Sequence, residues 1–145
     1  MNTLQINKIM EKNKYTNKIY LGTFARDELP HKIFYPSAFI LNTQPRSQSG
    51  EHWLAIYFDQ NKKGIFFDSY GKSPSSFKLN EFMKKHSKSY KYNKIKLQSD
   101  TSSYCGIYVV LFLLHISKHF ILESFLRKFK SPDENDNMIK KFLNL

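Results

Sequence analysis

The stretch QSDTSSYCGIYVVLFLLHI, Gln98 to Ile116, decides how this chain is read. Polar, small residues give way to a long apolar run, and the only cysteine, Cys105, stands at the junction. Thr101, Ser102 and Ser103 are good N-cap residues, so a helix is expected to begin close to Cys105. The apolar run from Tyr104 to Ile116 is interrupted by His115 and falls short of the roughly 18 to 20 residues that cross a bilayer, so it reads as a buried helix.

Upstream, HWLAIYFD (His52–Asp59) and GIFFDSYG (Gly64–Gly71) flank the polar turn QNKK. Two aromatic, apolar runs around a short polar loop predict a β-hairpin, and their near-continuous apolar character predicts cover on both faces. SAFILNTQ (Ser37–Gln44) is a further strand, followed by the loop PRSQSG that ends in Gly50. KIYLGTFARDELP reads as extended chain running into a turn, and the first dozen residues fit a short amphipathic helix. From Ser73 to Tyr90 the pattern is helical, with Phe77, Phe82 and Met83 on one face. KYNKIKLQS (Lys91–Ser99) alternates as a strand with one buried side. Downstream, SFLRKFK and NMIKKFLNL are short amphipathic pieces around a turn at SPDEND (Ser131–Asp136). The order predicts one α+β domain over residues 1–145 with a mostly antiparallel sheet.

Composition agrees with a folded domain. Of 145 residues, 41% are hydrophobic and 16% aromatic, enough to bury about two-thirds of the unfolded surface. One cysteine allows no internal disulfide, which points to a reducing compartment. The N-terminus MNTLQINKIMEKNKY lacks the apolar core of a signal peptide, so secretion is not expected. Lys and Arg number 23 against 12 Asp and Glu, a net charge of +11, which suggests contact with a polyanion. The excess is uneven: Lys78 to Lys96 holds seven lysines and one acid, Glu81, with Tyr90 and Tyr92 among them. That pattern places phosphate-contacting cations beside rings able to stack on bases; its plain alternative is a solvated face of a Lys-rich protein.

A thiol attacks carbonyl carbon as the thiolate, and an ordinary cysteine is mostly protonated at neutral pH. A helix N-terminus at Cys105 lowers its pKa through unpaired N–H groups and the macrodipole, and Gly106 would admit a substrate backbone. A base is needed, and a group to hold the base in one tautomer. Among five histidines, His52 stands at the head of a predicted strand. Asp68, near the end of the paired strand, is placed to meet it across the hairpin. Gln98, seven positions before Cys105, can aim its amide at a substrate carbonyl and complete an oxyanion hole with the Cys105 N–H. Trp53 reads as a packing residue walling the site, and Ser102 and Ser103 as capping residues rather than nucleophiles. His115 and His119 are four apart, but with no third ligand nearby they do not make a zinc site. No metal or cofactor is expected.

His52-Trp53, FFDSYG, Gln98 and SSYCG before an apolar helix together resemble the adenovirus-type cysteine proteases, the adenain family, and their relatives that process ubiquitin-like proteins. YLGTF (Tyr20–Phe24) and ILNTQPRSQSGEHW (Ile40–Trp53) are similar to adenain in particular, and the resemblance runs in order from about Tyr20 to His119. It implies a papain-like fold with Cys105 as nucleophile, His52 as base, Asp68 as orienter and Gln98 in the oxyanion hole. It also implies cleavage after glycine in precursor proteins of a virus or virus-like element, in the virion or the host nucleus or cytoplasm, with DNA held on the Lys-rich face. Asp68 stands where adenain has Glu, as in the SUMO-protease relatives. The second cysteine that ties adenain to its peptide activator is missing, which leaves only non-covalent activation by peptide or DNA. The chain is also shorter at its C-terminus. The alternatives are a processing enzyme for a ubiquitin-like protein, with the same catalytic groups, and a non-enzymatic nucleic-acid-binding domain.

Overall fold

The computed structural model describes residues 1–48 and 52–143. Among them the chain runs α1 (Thr3–Lys12), β1 (Tyr20–Phe24), β2 (Ser37–Asn42), β3 (Trp53–Phe58), β4 (Lys63–Phe67), α2 (Asn80–His86), β5 (Ser89–Tyr92), α3 (Cys105–Ile116), α4 (Leu122–Leu126) and α5 (Pro132–Leu143). Short 3-10 turns fall at Arg26–Glu28 and Pro74–Phe77.

The expected α+β class holds, and the five strands form one sheet in chain order. The sheet is mixed rather than mostly antiparallel: β2–β3 and β3–β4 pair antiparallel, while both edge pairs, β1–β2 and β4–β5, are parallel. A parallel neighbour requires a crossover connection. The chain between β4 and β5 supplies one that carries α2, and the chain between β1 and β2 supplies the other.

The inner strands are covered on both faces, as their unbroken apolar runs predict. Ala55 and Tyr57 of β3 join a core with Tyr108, Val109, Phe112 and Leu113 of α3. Leu54, Ile56 and Phe58 point the other way, onto Phe39, Phe66, Leu79 and Met83. Phe67 stacks on Phe112 at 4.6 Å, which ties β4 to the middle of α3. Eight of the 12 residues of α3 are buried, the first being Gly106. Cys105 is therefore carried on a helix that the core itself immobilises.

Four local expectations change. The predicted strand Lys91–Ser99 is instead β5 at Ser89–Tyr92; at Asn93 the side-chain amide takes over the bonds a strand backbone would make, and Lys94 turns left-handed at φ 57°. The helix expected from Ser73 breaks at Lys78, φ 58°, into a 3-10 turn and α2. SPDEND is not a turn but the start of α5. Proline is tolerated in a first turn that needs no N–H, Asp133 and Glu134 suit its positive end, and Ser131 Oγ accepts the Glu134 N–H at 3.4 Å. Finally, the N-cap of α3 is Tyr104 with no side-chain cap, because Ser102 Oγ accepts the Tyr104 N–H instead.

Candidate active site

Strand pairing puts Ala55 opposite Phe67. Continued past the strand ends, the same register sets His52 beside Tyr70 and close to Asp68. His52 Nε2 lies 2.5 Å from Asp68 Oδ1, and the imidazole stacks on Tyr70 at 4.9 Å, with Phe77 farther along at 6.3 Å. The His52 carbonyl accepts the Thr43 N–H at 2.9 Å, which anchors the residue to the end of β2. The loop that the sequence reading places before His52 ends at Gly50, outside the described residues.

Asp68 is fully buried. The Tyr70 N–H donates to Oδ1 at 3.2 Å and the Lys72 N–H to Oδ2 at 3.1 Å, so a tight turn wraps the carboxylate in donors. Asn93 grips the Asp68 backbone from the other side. Its Nδ2 donates to Asp68 O at 2.7 Å and its Oδ1 accepts the Asp68 N–H at 3.2 Å.

With Nε2 turned to Asp68, Nδ1 is the imidazole atom left to face Cys105. Burial pushes the thiol up. The hydrogen bond from His52, the Trp53 backbone N–H, the imidazolium charge and the Gly106 N–H outweigh burial and hold it below its ordinary value. For His52, burial pulls the other way, and the hydrogen bonds and charges of Asp68 and Cys105 prevail, raising it to about 9. Lowering the thiol and raising the imidazole both favour a thiolate–imidazolium pair, a nucleophile with its proton donor already loaded.

Gln98 is 1% exposed. Ser69 Oγ donates to its Oε1 at 2.5 Å and its Nε2 donates to Ser102 O at 2.9 Å, which orients the N–H end toward the loop entering α3. Consecutive residues of one turn thus hold two of the candidate residues: Asp68 pairs with His52, and Ser69 bonds Gln98.

Gly106 faces protein rather than open space. A Cβ there would stand 3.0 Å from Met1 Cβ and 3.1 Å from Trp53 Cδ1. Trp53 walls the site as expected, its Nε1 donating to Met1 O at 3.1 Å. A cleft of about 410 Å³ reaches the sulfur, with Thr23, Phe24, Asn42, Gln44, Trp53 and Cys105 among its walls.

His115 and His119 do not share a helix face, since α3 ends at Ile116. His115 Nε2 instead meets Ser124 Oγ at 2.9 Å and Ile121 O at 3.2 Å. All seven lysines from Lys78 to Lys96 are exposed, whereas Tyr90 and Tyr92 are half-buried and pack against the α2-side core. No helix among the described residues is long and apolar enough to cross a membrane. Tyr70 and Ser69 lie inside the FFDSYG motif and were open to recognition there. Asn93 was not, because its bond to Asp68 spans 25 positions.

A helix-borne thiol beside an imidazole that a buried carboxylate holds in place is the arrangement that cysteine peptidases use. The chain belongs to the adenovirus endoprotease family, whose profile matches residues 20–128. It is 29% identical to a protein of Acanthamoeba polyphaga mimivirus named as a thiol protease, R355, over 80% of this chain and 47% of that protein. Among solved structures it is similar to the ASFV pS273R protease, with 20% identity, a TM-score of 0.47, and coverage of 72% of this chain and 42% of that one. The chain thus spans about half the length of these relatives.

Proposed function

We propose that this chain is a cysteine endopeptidase that cleaves precursor proteins of a virus or virus-like element after glycine. The observation that carries the reading is the His52 imidazole, paired at 2.5 Å with the buried Asp68 and near enough to Cys105 to help lower its thiol.

In the proposed reaction the Cys105 sulfur adds to the scissile carbonyl carbon, and the π electrons move to oxygen. The Cys105 backbone N–H and a Gln98 amide N–H receive that oxyanion. As the tetrahedral adduct collapses, the C–N bond breaks and imidazolium His52 gives its proton to the departing amine. Water then attacks the thioester while His52 takes up a proton, releasing the acid and restoring the thiol–imidazole pair. Asp68 keeps the imidazole in the tautomer and orientation that both transfers need. Gln98 carries two amide hydrogens and spends one on Ser102 O, which leaves the other for the oxyanion.

Supporting the glycine preference is membership of the adenovirus endoprotease family. The exposed lysines support a DNA contact through phosphates alone, in a virion or in the host nucleus or cytoplasm. Any peptide or DNA activator would bind this chain non-covalently, since its one cysteine is the nucleophile.

The test is cleavage of glycine-containing peptides by the wild type and by Cys105→Ala, with a glycine-aldehyde peptide used as a trap and the adduct mapped by mass. Loss of cleavage in the variant and an adduct on Cys105 are the expected results. Undiminished cleavage by Cys105→Ala overturns the reading. Faster turnover of SUMO-type conjugates than of internal sites would transfer it to a ubiquitin-like-protein protease with the same catalytic groups.

A further inference from the structure

Gln98 lies on irregular chain between β5 and α3, and something other than a strand ladder must hold it. From the sheet side the Leu97 and Gln98 N–H groups both donate to Ser69 O, at 2.8 and 3.1 Å. From the opposite side the contacts come from α5. Asn135 Nδ2 donates to Leu97 O at 3.0 Å, and Asp136 Oδ2 accepts the Ser99 N–H at 3.2 Å. The residues immediately before and after Gln98 are therefore gripped by consecutive side chains of one helix.

Both grips are themselves fixed. Asn135 is 2% exposed, and its Oδ1 accepts the Lys130 N–H at 2.7 Å. Asp136 Oδ1 accepts the Tyr108 hydroxyl at 2.8 Å, which fastens α5 to the buried middle of α3. This helix begins at Pro132, beyond residues 20–128 where the family profile matches.

We propose that Asn135 and Asp136 are positioning residues for Gln98, so that α5 braces the oxyanion-binding half of the site. The proposal rests on the reading of Gln98 as an oxyanion donor. Such a donor works only when it stands about 2.7–3.1 Å from the place where the negative oxygen forms, so slack in its loop is lost rate. Neither residue touches His52, Asp68 or Cys105, and the thiolate–imidazolium half should not register the brace.

A double-mutant cycle on the full chain separates the possibilities. Gln98→Ala, Asp136→Ala, the double variant and wild type are compared for kcat and KM on a glycine-containing peptide, and for the pH profile of Cys105 alkylation. Gln98→Ala should lower kcat about 10²-fold and Asp136→Ala about tenfold, with KM and the alkylation profile unmoved. In the Gln98→Ala background, Asp136→Ala should cost nothing further. Asp136→Asn, which keeps one acceptor oxygen, should recover part of the rate. Tyr108→Phe, which preserves shape while releasing both Asp136 Oδ1 and Leu97 O, should repeat the kcat pattern about threefold. If Gln98→Ala keeps its kcat, the oxyanion reading itself fails. If it loses kcat while Asp136→Ala and Tyr108→Phe do not, or if the losses multiply in the double variant, the brace is overturned and the reading of Gln98 stands.

Discussion

Asp68 is fully buried, and its carboxylate meets His52 and the Tyr70 and Lys72 N–H groups. Removing it unsupports the imidazole and orphans the Tyr70 and Lys72 N–H groups. Asp68→Ala is expected to lower kcat/KM by a factor on the order of 10² to 10⁴, and to cost about 1–3 kcal/mol in urea unfolding. The paired titration of Cys105 and His52 sets a pH window. Turnover needs the thiolate, so kcat/KM rises with pH through the depressed Cys105 ionisation; it needs imidazolium, so kcat/KM falls again as His52 loses its proton near pH 9. A profile with a single rising limb at the ordinary thiol value would contradict the ion pair. In Cys105→Ala the His52 ring loses one hydrogen-bond partner and one negative charge. Its NMR titration midpoint should accordingly move down from about 9.

Two glycines show how the elements hold the site together. Gly71 closes the turn around Asp68 at φ +77°, and a Cβ there would meet the Ile95 carbonyl carbon at 2.7 Å and Lys96 N at 2.9 Å. Both obstacles are backbone, so Gly71→Ala should destabilise by about 3 kcal/mol in urea unfolding, and lower activity with it. Gly106 at the start of α3 meets side chains instead, those of Met1 and Trp53. Gly106→Ala should cost only about 1 kcal/mol and appear as a shift in the emission of the single Trp53. α5 belongs to the same scale. Its start signals, Ser131-Pro132-Asp133-Glu134, are local, although the same residues also suit a turn. Its bonds to Leu97 and Ser99 carry no local signal.

For the whole molecule, the net charge of +11 and the exposed lysines between Lys78 and Lys96 give a test of the proposed DNA contact. Binding to duplex DNA should weaken on a log–log plot by about 0.9 per phosphate neutralised as salt is raised, and an affinity indifferent to salt would remove that role. The same scale shows what was legible beforehand. His52, Asp68, Gln98 and Cys105 are legible from spacing, resemblance and the hairpin; the structure pairs His52 with Asp68 and bonds Gln98 to Ser69 and to Ser102 ahead of the helix that starts at Cys105. The parallel edges of the sheet, the bare N-cap at Tyr104 and the packed faces of Tyr90 and Tyr92 were not, because each depends on what lies across the fold rather than along the chain. By itself the sequence determined the buried helix, the hairpin and the residues with reactive groups, since apolar runs, turn chemistry and charge act over a few neighbouring positions. Only the tertiary structure decided which imidazole nitrogen faces the thiol, which way the Gln98 amide points and what braces it. Those outcomes are set between segments far apart in the chain, 29 residues for Ser69 and Gln98 and 38 for Leu97 and Asn135, whose register only the packed sheet and helices define.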